Sequence, residues 1–202
     1  PDAKIVSAGH NTNTTFSILV ARHNSDGTPD FSFNNTGKKQ IDFGSAYEFC
    51  YSILAQDDDK LVLAGSSNGN AAMARLLPDG NYDGSFSDDG KLTLSFGAGN
   101  GSSFQKILLQ PDGKIVAVGE AYNTNSFDFA IARFHPDGSA DATFGDGGKT
   151  TIDFNNFNDF GRNALLQEDG KIVVVGAAKN SNGNSSIALL RLNADGTPDI
   201  AF

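Results

Sequence analysis

The chain has 202 residues, a mass of 21.2 kDa, a single cysteine and a formal charge of -9 with a pI near 4.6. That balance argues against a nucleic-acid partner, which needs Lys and Arg gathered on one face, and lone Cys50 excludes an internal disulfide. No run reaches the ~20 apolar residues of a membrane-spanning helix, so no membrane insertion is expected, while a chain of this size buries roughly 70% of its unfolded surface without covalent staples.

In chain order, the first expected element is a strand over Lys4 to Gly9, preceded by the turn residues Pro1-Asp2-Ala3. A polar Asn-Thr stretch then leads to an apolar run ending in Leu19-Val-Ala-Arg22, and after Arg22 come Asp26-Gly27, Asp30 and Phe33. The pattern returns three times. Lys60 to Gly65, Lys114 to Gly119 and Lys171 to Gly176 repeat the first strand, and Arg75, Arg133 and Arg191 repeat the arginine. In every copy an Asp-Gly stands four and five residues after the Arg, a second Asp at the eighth (Asp30, Asp83, Asp141, Asp199) and a Phe at the eleventh (Phe33, Phe86, Phe144, Phe202).

One unit reads as four short strands bounded by turn residues. Strand A is the alternating run Phe104 to Gln110, closed by Pro111-Asp112-Gly113; strand B is Lys114 to Gly119; strand C is Asp128 to Arg133; strand D is Lys149 to Phe154. No helix-period stretch appears. A sheet of this size cannot bury both faces alone, so neighbours must stack, and the spacing predicts an all-β β-propeller of four-stranded antiparallel blades. The expected division is a partial blade over 1–43 lacking strand A, blades over 44–96 and 97–154, and a partial blade over 155–202 lacking strand D. Cut blades at both ends suggest either a piece of a longer array or an open edge that recruits a strand from a protein partner or a second copy.

From Arg to the next Lys the spacing is nearly constant, whereas the B to C segment varies and is Asn-rich, as in Glu120-Ala-Tyr-Asn-Thr-Asn-Ser126. Variable loops on a fixed frame are where binding concentrates. Asn123 and Asn125 are therefore candidate ligand contacts, with Asn156, Phe157 and Asn158 from Asp153-Phe-Asn-Asn-Phe-Asn-Asp-Phe160, whose rings and amides suit the face and hydroxyls of a glycan. More often such Phe residues plug the gap between adjacent blades, the preferred reading, and the Asn-rich loops are more often plain surface loops. Asp137, Asp141 and Asp146 offer hard oxygen ligands for Ca²⁺, the one cofactor considered. Against this, the first Asp suits an Asx turn and the second an internal pair with the Arg eight residues earlier, the preferred reading because the device recurs in every copy. No nucleophile, acid–base or phosphate-binding set is present, so no catalytic residue is assigned.

The composite Asp112-Gly-Lys-Ile-Val-Ala-Val-Gly119, then Phe129-Ala-Ile-Ala-Arg-Phe-His-Pro-Asp-Gly-Ser-Ala-Asp-Ala-Thr-Phe-Gly-Asp-Gly-Gly-Lys149, resembles the bacterial delta-60 repeat, a β-propeller-like repeat. The first two copies depart from it, with Asn34-Asn-Thr-Gly37 and Ser87-Asp-Asp-Gly90 in place of Gly145-Asp-Gly-Gly148. The resemblance implies a secreted or surface-attached bacterial protein without enzymatic activity. A noncatalytic scaffold and binding or assembly platform, in adhesion or a fibre, is the expected function, and a Ca²⁺-dependent carbohydrate-binding module the alternative.

Overall fold

The computed structural model describes residues 3–11, 16–97 and 101–202, so the expected turn at Pro1-Asp2 and part of the first Asn-Thr stretch lie outside the described residues. No helix occurs among the described residues; fourteen strands form four antiparallel sheets in chain order. The first holds β1 (Ile5–His10), β2 (Ile18–His23) and β3 (Lys38–Ile41). The second holds β4 (Glu48–Ala55), β5 (Leu61–Ser67), β6 (Asn70–Leu76) and β7 (Lys91–Leu94). The third holds β8 (Ser102–Leu109), β9 (Ile115–Asn123), β10 (Ser126–Phe134) and β11 (Lys149–Ile152), and the fourth β12 (Asp159–Leu166), β13 (Ile172–Lys179) and β14 (Ser185–Leu192). Each pairs only with its sequence neighbours, so every sheet is a meander and successive sheets stack as propeller blades do.

Three apolar cores lie between successive sheets. Ile18, Val20, Phe33 and Ile41 of the first meet Leu61, Leu63 and Leu76 of the second. Val62, Met73 and Phe86 meet Phe104, Ile107 and Ile115; Val118, Phe129 and Ile131 meet Ile172, Val174 and Leu190. Middle strands buried on both faces explain why β5, β6, β9 and β10 read as nearly unbroken apolar runs instead of alternating ones.

The invariant positions form one cluster per sheet. In the third, Arg133 Nε donates to Asp141 Oδ2 at 2.7 Å and its Nη2 to Thr143 at 3.1 Å, while Lys114 Nζ stands 3.3 Å from the same carboxylate oxygen. The guanidinium carbon lies 4.8 Å from the centre of the Phe144 ring, a cation–π contact. The internal Arg–Asp pairing expected from the sequence is present in all four sheets, at 2.7 Å, 2.8 Å, 2.7 Å and 2.7 Å. The repeated Lys completes it, a role the sequence did not suggest.

These clusters also fasten each sheet to the next. Arg75 Nη1 donates to the carbonyl of Pro136 and Arg133 Nη1 to that of Ala194, while Asn34, Ser87 and Gly145 donate backbone N–H groups to the carbonyls of Asp79, Asp137 and Asp195. Phe33, Phe86 and Phe144 press against Gly80, Gly138 and Gly196 of the following sheet, where a Cβ would stand 3.1, 3.0 and 2.9 Å from the ring. Each of these three Asp-Gly pairs thus serves twice: its glycine has a left-handed backbone, and it leaves room for the preceding aromatic ring.

The sequence misjudged element lengths. Strand B of the third sheet runs past Gly119 to Asn123 and strand C starts at Ser126, so the supposed Asn loop is mostly hairpin. In the second sheet only Asn68-Gly69 separates the strands, both left-handed, as a tight two-residue turn requires. Strand D stops at Ile152, two residues short, and β8 spans Ser102–Leu109.

Candidate functional site

The third and fourth sheets meet under the connection from β11 to β12, residues 153–158. Asp153 Oδ1 accepts from the backbone N–H groups of Asn155 and Asn156 at 3.0 Å and 2.6 Å, turning the chain back on itself with Asn156 at a φ of 60°. Asn158 ties the turn down on both sides: its Oδ1 accepts from the Phe127 N–H and its carbonyl from the Lys179 N–H, each at 3.0 Å. What results is a cleft of about 260 Å³ lined by Asn125, Asn156, Phe157, Asn158, Lys179 and Asn180. Phe157 is 39% exposed, its ring presented at the surface instead of plugging a gap between sheets.

Four of the five residues singled out as ligand contacts therefore share one cleft. The fifth does another job. Asn123, at the end of β9, donates its side-chain N–H to Asp128 Oδ2 at 3.2 Å and so belongs to the layer below.

In that layer lies a group of three carboxylates that sequence reasoning missed. Asp128 from β10, Asp153 after β11 and Asp159 at the start of β12 place one oxygen each within 4.8 Å of one another. Asp128 and Asp159 are buried, Asp153 is exposed. Ser126 donates to Asp128 Oδ1 at 3.2 Å and the Phe154 N–H to Asp159 Oδ2 at 2.7 Å, but Asp159 Oδ1 is buried without a hydrogen bond of normal geometry, the Lys179 backbone N–H only approaching that carboxylate. Burial pushes the carboxyls of Asp128 and Asp159 above the usual range, and the charge of Asp153 pushes further in the same direction. Two of the three bracket the segment 153–160 flagged in the sequence; the third comes from the preceding hairpin, which no spacing rule links to it.

The earlier metal candidates do not converge. Asp141 is taken up by Arg133 and Lys114, Asp137 accepts from Ser139 at 2.9 Å and 2.6 Å as an Asx turn does, and the backbone at Asp146 bonds with that of Lys149. On strands A and B lies a separate polar group, where Glu120 accepts from Ser103 at 2.9 Å and Gln105 at 3.1 Å and pairs with Arg162 at 3.2 Å. Cys50 is buried, its thiol pushed up to about 11 by desolvation, which makes it unreactive.

No curated protein matches the chain. Among solved structures, a hypothetical protein from Leishmania major is 12% identical with a TM-score of 0.54, the alignment covering 98% of this chain and 68% of that one. A glycoside hydrolase is 13% identical with a TM-score of 0.43, over 96% of this chain and 48% of that one. The first of these likenesses speaks to fold alone. A family described as "Domain of unknown function (DUF5122) beta-propeller" matches residues 56–86, 110–144 and 167–202, each span running from strand B of a sheet, or the residues just before it, to the clamped Phe. With half of its residues in those spans, the chain belongs to this β-propeller family.

Proposed function

We propose that the chain is a noncatalytic module of the bacterial delta-60 repeat kind, extracellular or on the cell surface, that serves as a scaffold by joining head to tail with further copies of itself. One observation carries this reading: two uncovered faces complement each other. Leu165, Val175, Ile187 and Leu189 form an exposed apolar face on the fourth sheet, with Ile187 86% exposed. Their counterparts in the third sheet, Leu108, Val118, Phe129 and Ile131, pack in the core against the next sheet. At the other end Ile5 is exposed, whereas its counterparts Leu61, Ile115 and Ile172 each pack against the preceding sheet.

The fastening parts match as well. Phe202 is 55% exposed over Arg191, and a Cβ at Gly27 would meet nothing within 4 Å, although its three counterparts each lie against the Phe of the sheet before. A knob and a seat of the repeated kind thus match, so a further unit of the same repeat fits either face. Burial of each large apolar side chain contributes about 1.5–3 kcal/mol, so such a joint has the means to hold. Contacts between unlike faces close into rings or run on as filaments. Light scattering on a size-exclusion column is expected to give a dimer or larger assembly, reduced to monomer by Leu189→Lys with Phe202→Ala; a wild-type chain that stays monomeric at every concentration overturns the reading.

Two further observations support a noncatalytic role. Asp128 and Asp159, two of the three clustered carboxylates, are buried. Glu120 is held by Arg162. A second reading, a carbohydrate-binding surface at the cleft, is favoured by the exposed ring of Phe157 among side-chain amides. It predicts that glycan binding by calorimetry is lost in Phe157→Ala, and heat-free titration of the wild type across a glycan panel rejects it.

A further inference from the structure

We infer that Asp128, Asp153 and Asp159 form a binding site for one Ca²⁺ ion at the junction of the third and fourth sheets. The inference is independent of head-to-tail assembly and of glycan binding. The unpartnered Oδ1 of Asp159 is the first reason: a fully buried carboxylate oxygen without a hydrogen bond lacks the solvation it had in water, a cost that a cation, a proton or an ordered water meets, and a cation also offsets the charge of three clustered acids. No lysine or arginine supplies it, since none of the three carboxylates takes part in an ion pair among the described residues.

Comparison of the junctions gives the second reason. The positions of Asp128, Asp153 and Asp159 are occupied by Asn70, Ser95 and Ser102 between the second and third sheets, and by Ser17, Asp42 and Glu48 between the first and second. The local structural task there is to accept backbone N–H groups. Ser102 performs it with a neutral hydroxyl, taking the Ala71 N–H at 2.9 Å; Glu48 performs it with one carboxylate, taking the Phe43 N–H at 2.7 Å. A junction of this fold therefore closes with no acid or with two. Three acids, two of them buried, exceed what the joint requires and repel one another.

Chemistry and spacing select the ion. Oxygens that each stand about 2.4 Å from a common Ca²⁺ are at most ~4.8 Å apart, and the three carboxylates meet that limit. All three ligands are hard oxygens with no His or Cys among them, which disfavours zinc. The side chains of Asn123 and Ser126 stand beside Asp128, and Asp153 is open to water, so further oxygen ligands are at hand for the six to eight that Ca²⁺ takes. Because the ligands come from β10, the end of strand D and the start of strand A, the ion would pin the turn that carries Asn156, Phe157 and Asn158.

The test uses the whole chain, stripped with chelator and titrated with CaCl₂ alone. Calorimetry should give one ion per chain, and Tm should rise by about 5–10 °C at a free Ca²⁺ on the order of 100 times Kd. Asp159→Asn should abolish both responses, yet in chelator it should melt at or above the wild-type temperature, because a repelling charge has gone. Asp153→Asn, whose amide oxygen can still accept from the Asn155 and Asn156 N–H groups and so keep the turn, should weaken binding at least tenfold, and Asp137→Asn should bind as the wild type does. Absence of heat and of any Tm shift in folded wild type overturns the inference, as does Ca²⁺ binding that survives both Asp153→Asn and Asp159→Asn.

Discussion

Gly119→Ala is expected to lower stability by at least about 3 kcal/mol, read as a fall in the denaturant midpoint, while Gly9→Ala at the equivalent place is expected to change it by less than about 0.5 kcal/mol. The difference comes from strand A. In the second, third and fourth sheets this strand carries a bulge, at Tyr51, Gln105 and Arg162, where the register against strand B slips by one residue. A bulge bends the strand toward its partner. The carbonyl of Ser103 lies so near Gly119 that a Cβ there would stand 1.9 Å from it, and the equivalent distances are 1.8 Å at Gly65 and 1.9 Å at Gly176. Backbone obstructs here, not a flexible side chain, so the sheet must open to make room. Gly9 sits in the first sheet, where among the described residues no strand A lies beside strand B, and a Cβ would meet nothing within 4 Å. Equal effects at the two sites would refute the account.

Asp141→Asn should be nearly as damaging, at about 3–5 kcal/mol, because it leaves Arg133 buried without its countercharge and removes the partner of Lys114. For a chain of this length that corresponds to a Tm lower by on the order of 10 °C. Asp199→Asn is the internal comparison. The side chain of Arg191 is 22% exposed against 8% for Arg133, so water replaces part of what is lost and the fall in Tm should be clearly smaller. Similar losses at both sites would show that desolvation does not govern the pair. Acid probes the same clusters together. The Ser32 hydroxyl and Arg22 hold Asp30 well below the ordinary carboxylate range; at Asp83 burial works the other way but is outweighed by Ser85, Arg75 and Lys60, leaving it at about 2, and Lys171 foremost brings Asp199 to about 2. Folded values below unfolded ones mean stabilisation that is complete above about pH 4 and lost as pH falls toward 2. Melting temperatures should therefore drop steeply over that interval, and less steeply in Asp141→Asn.

The frame was legible because it repeats. Arg133, Asp141 and Phe144 keep fixed intervals in four copies, and a device that recurs at each sheet is what a stacked architecture imposes, so strands, meander order and the Arg–Asp pair could be read directly. Three things escaped. The bulges at Tyr51, Gln105 and Arg162 have no residue signature of their own; only the glycine opposite each hinted that two backbones approach closely. Hairpin lengths were misjudged because Asn serves both in turns and on exposed strand ends, as Asn70 and Asn123 do. The acidic trio escaped because Asp128, Asp153 and Asp159 lie on separate strands and meet only through the docking of the fourth sheet on the third. Asn125, Asn156, Phe157 and Asn158 were found together because three of them are contiguous and the fourth lies in the adjoining hairpin turn.

The Phe that presses on the next Asp-Gly has a consequence for how such chains change over generations. Each unit offers the ring on one side and the glycine seat on the other, with the same Phe and Gly at every joint. A duplication or deletion of any whole unit rejoins a standard ring to a standard seat, wherever the break falls within the period. Unequal recombination can then lengthen or shorten an array without a compensating substitution, and unit number becomes a trait that drifts or is selected separately from the side chains in the clefts.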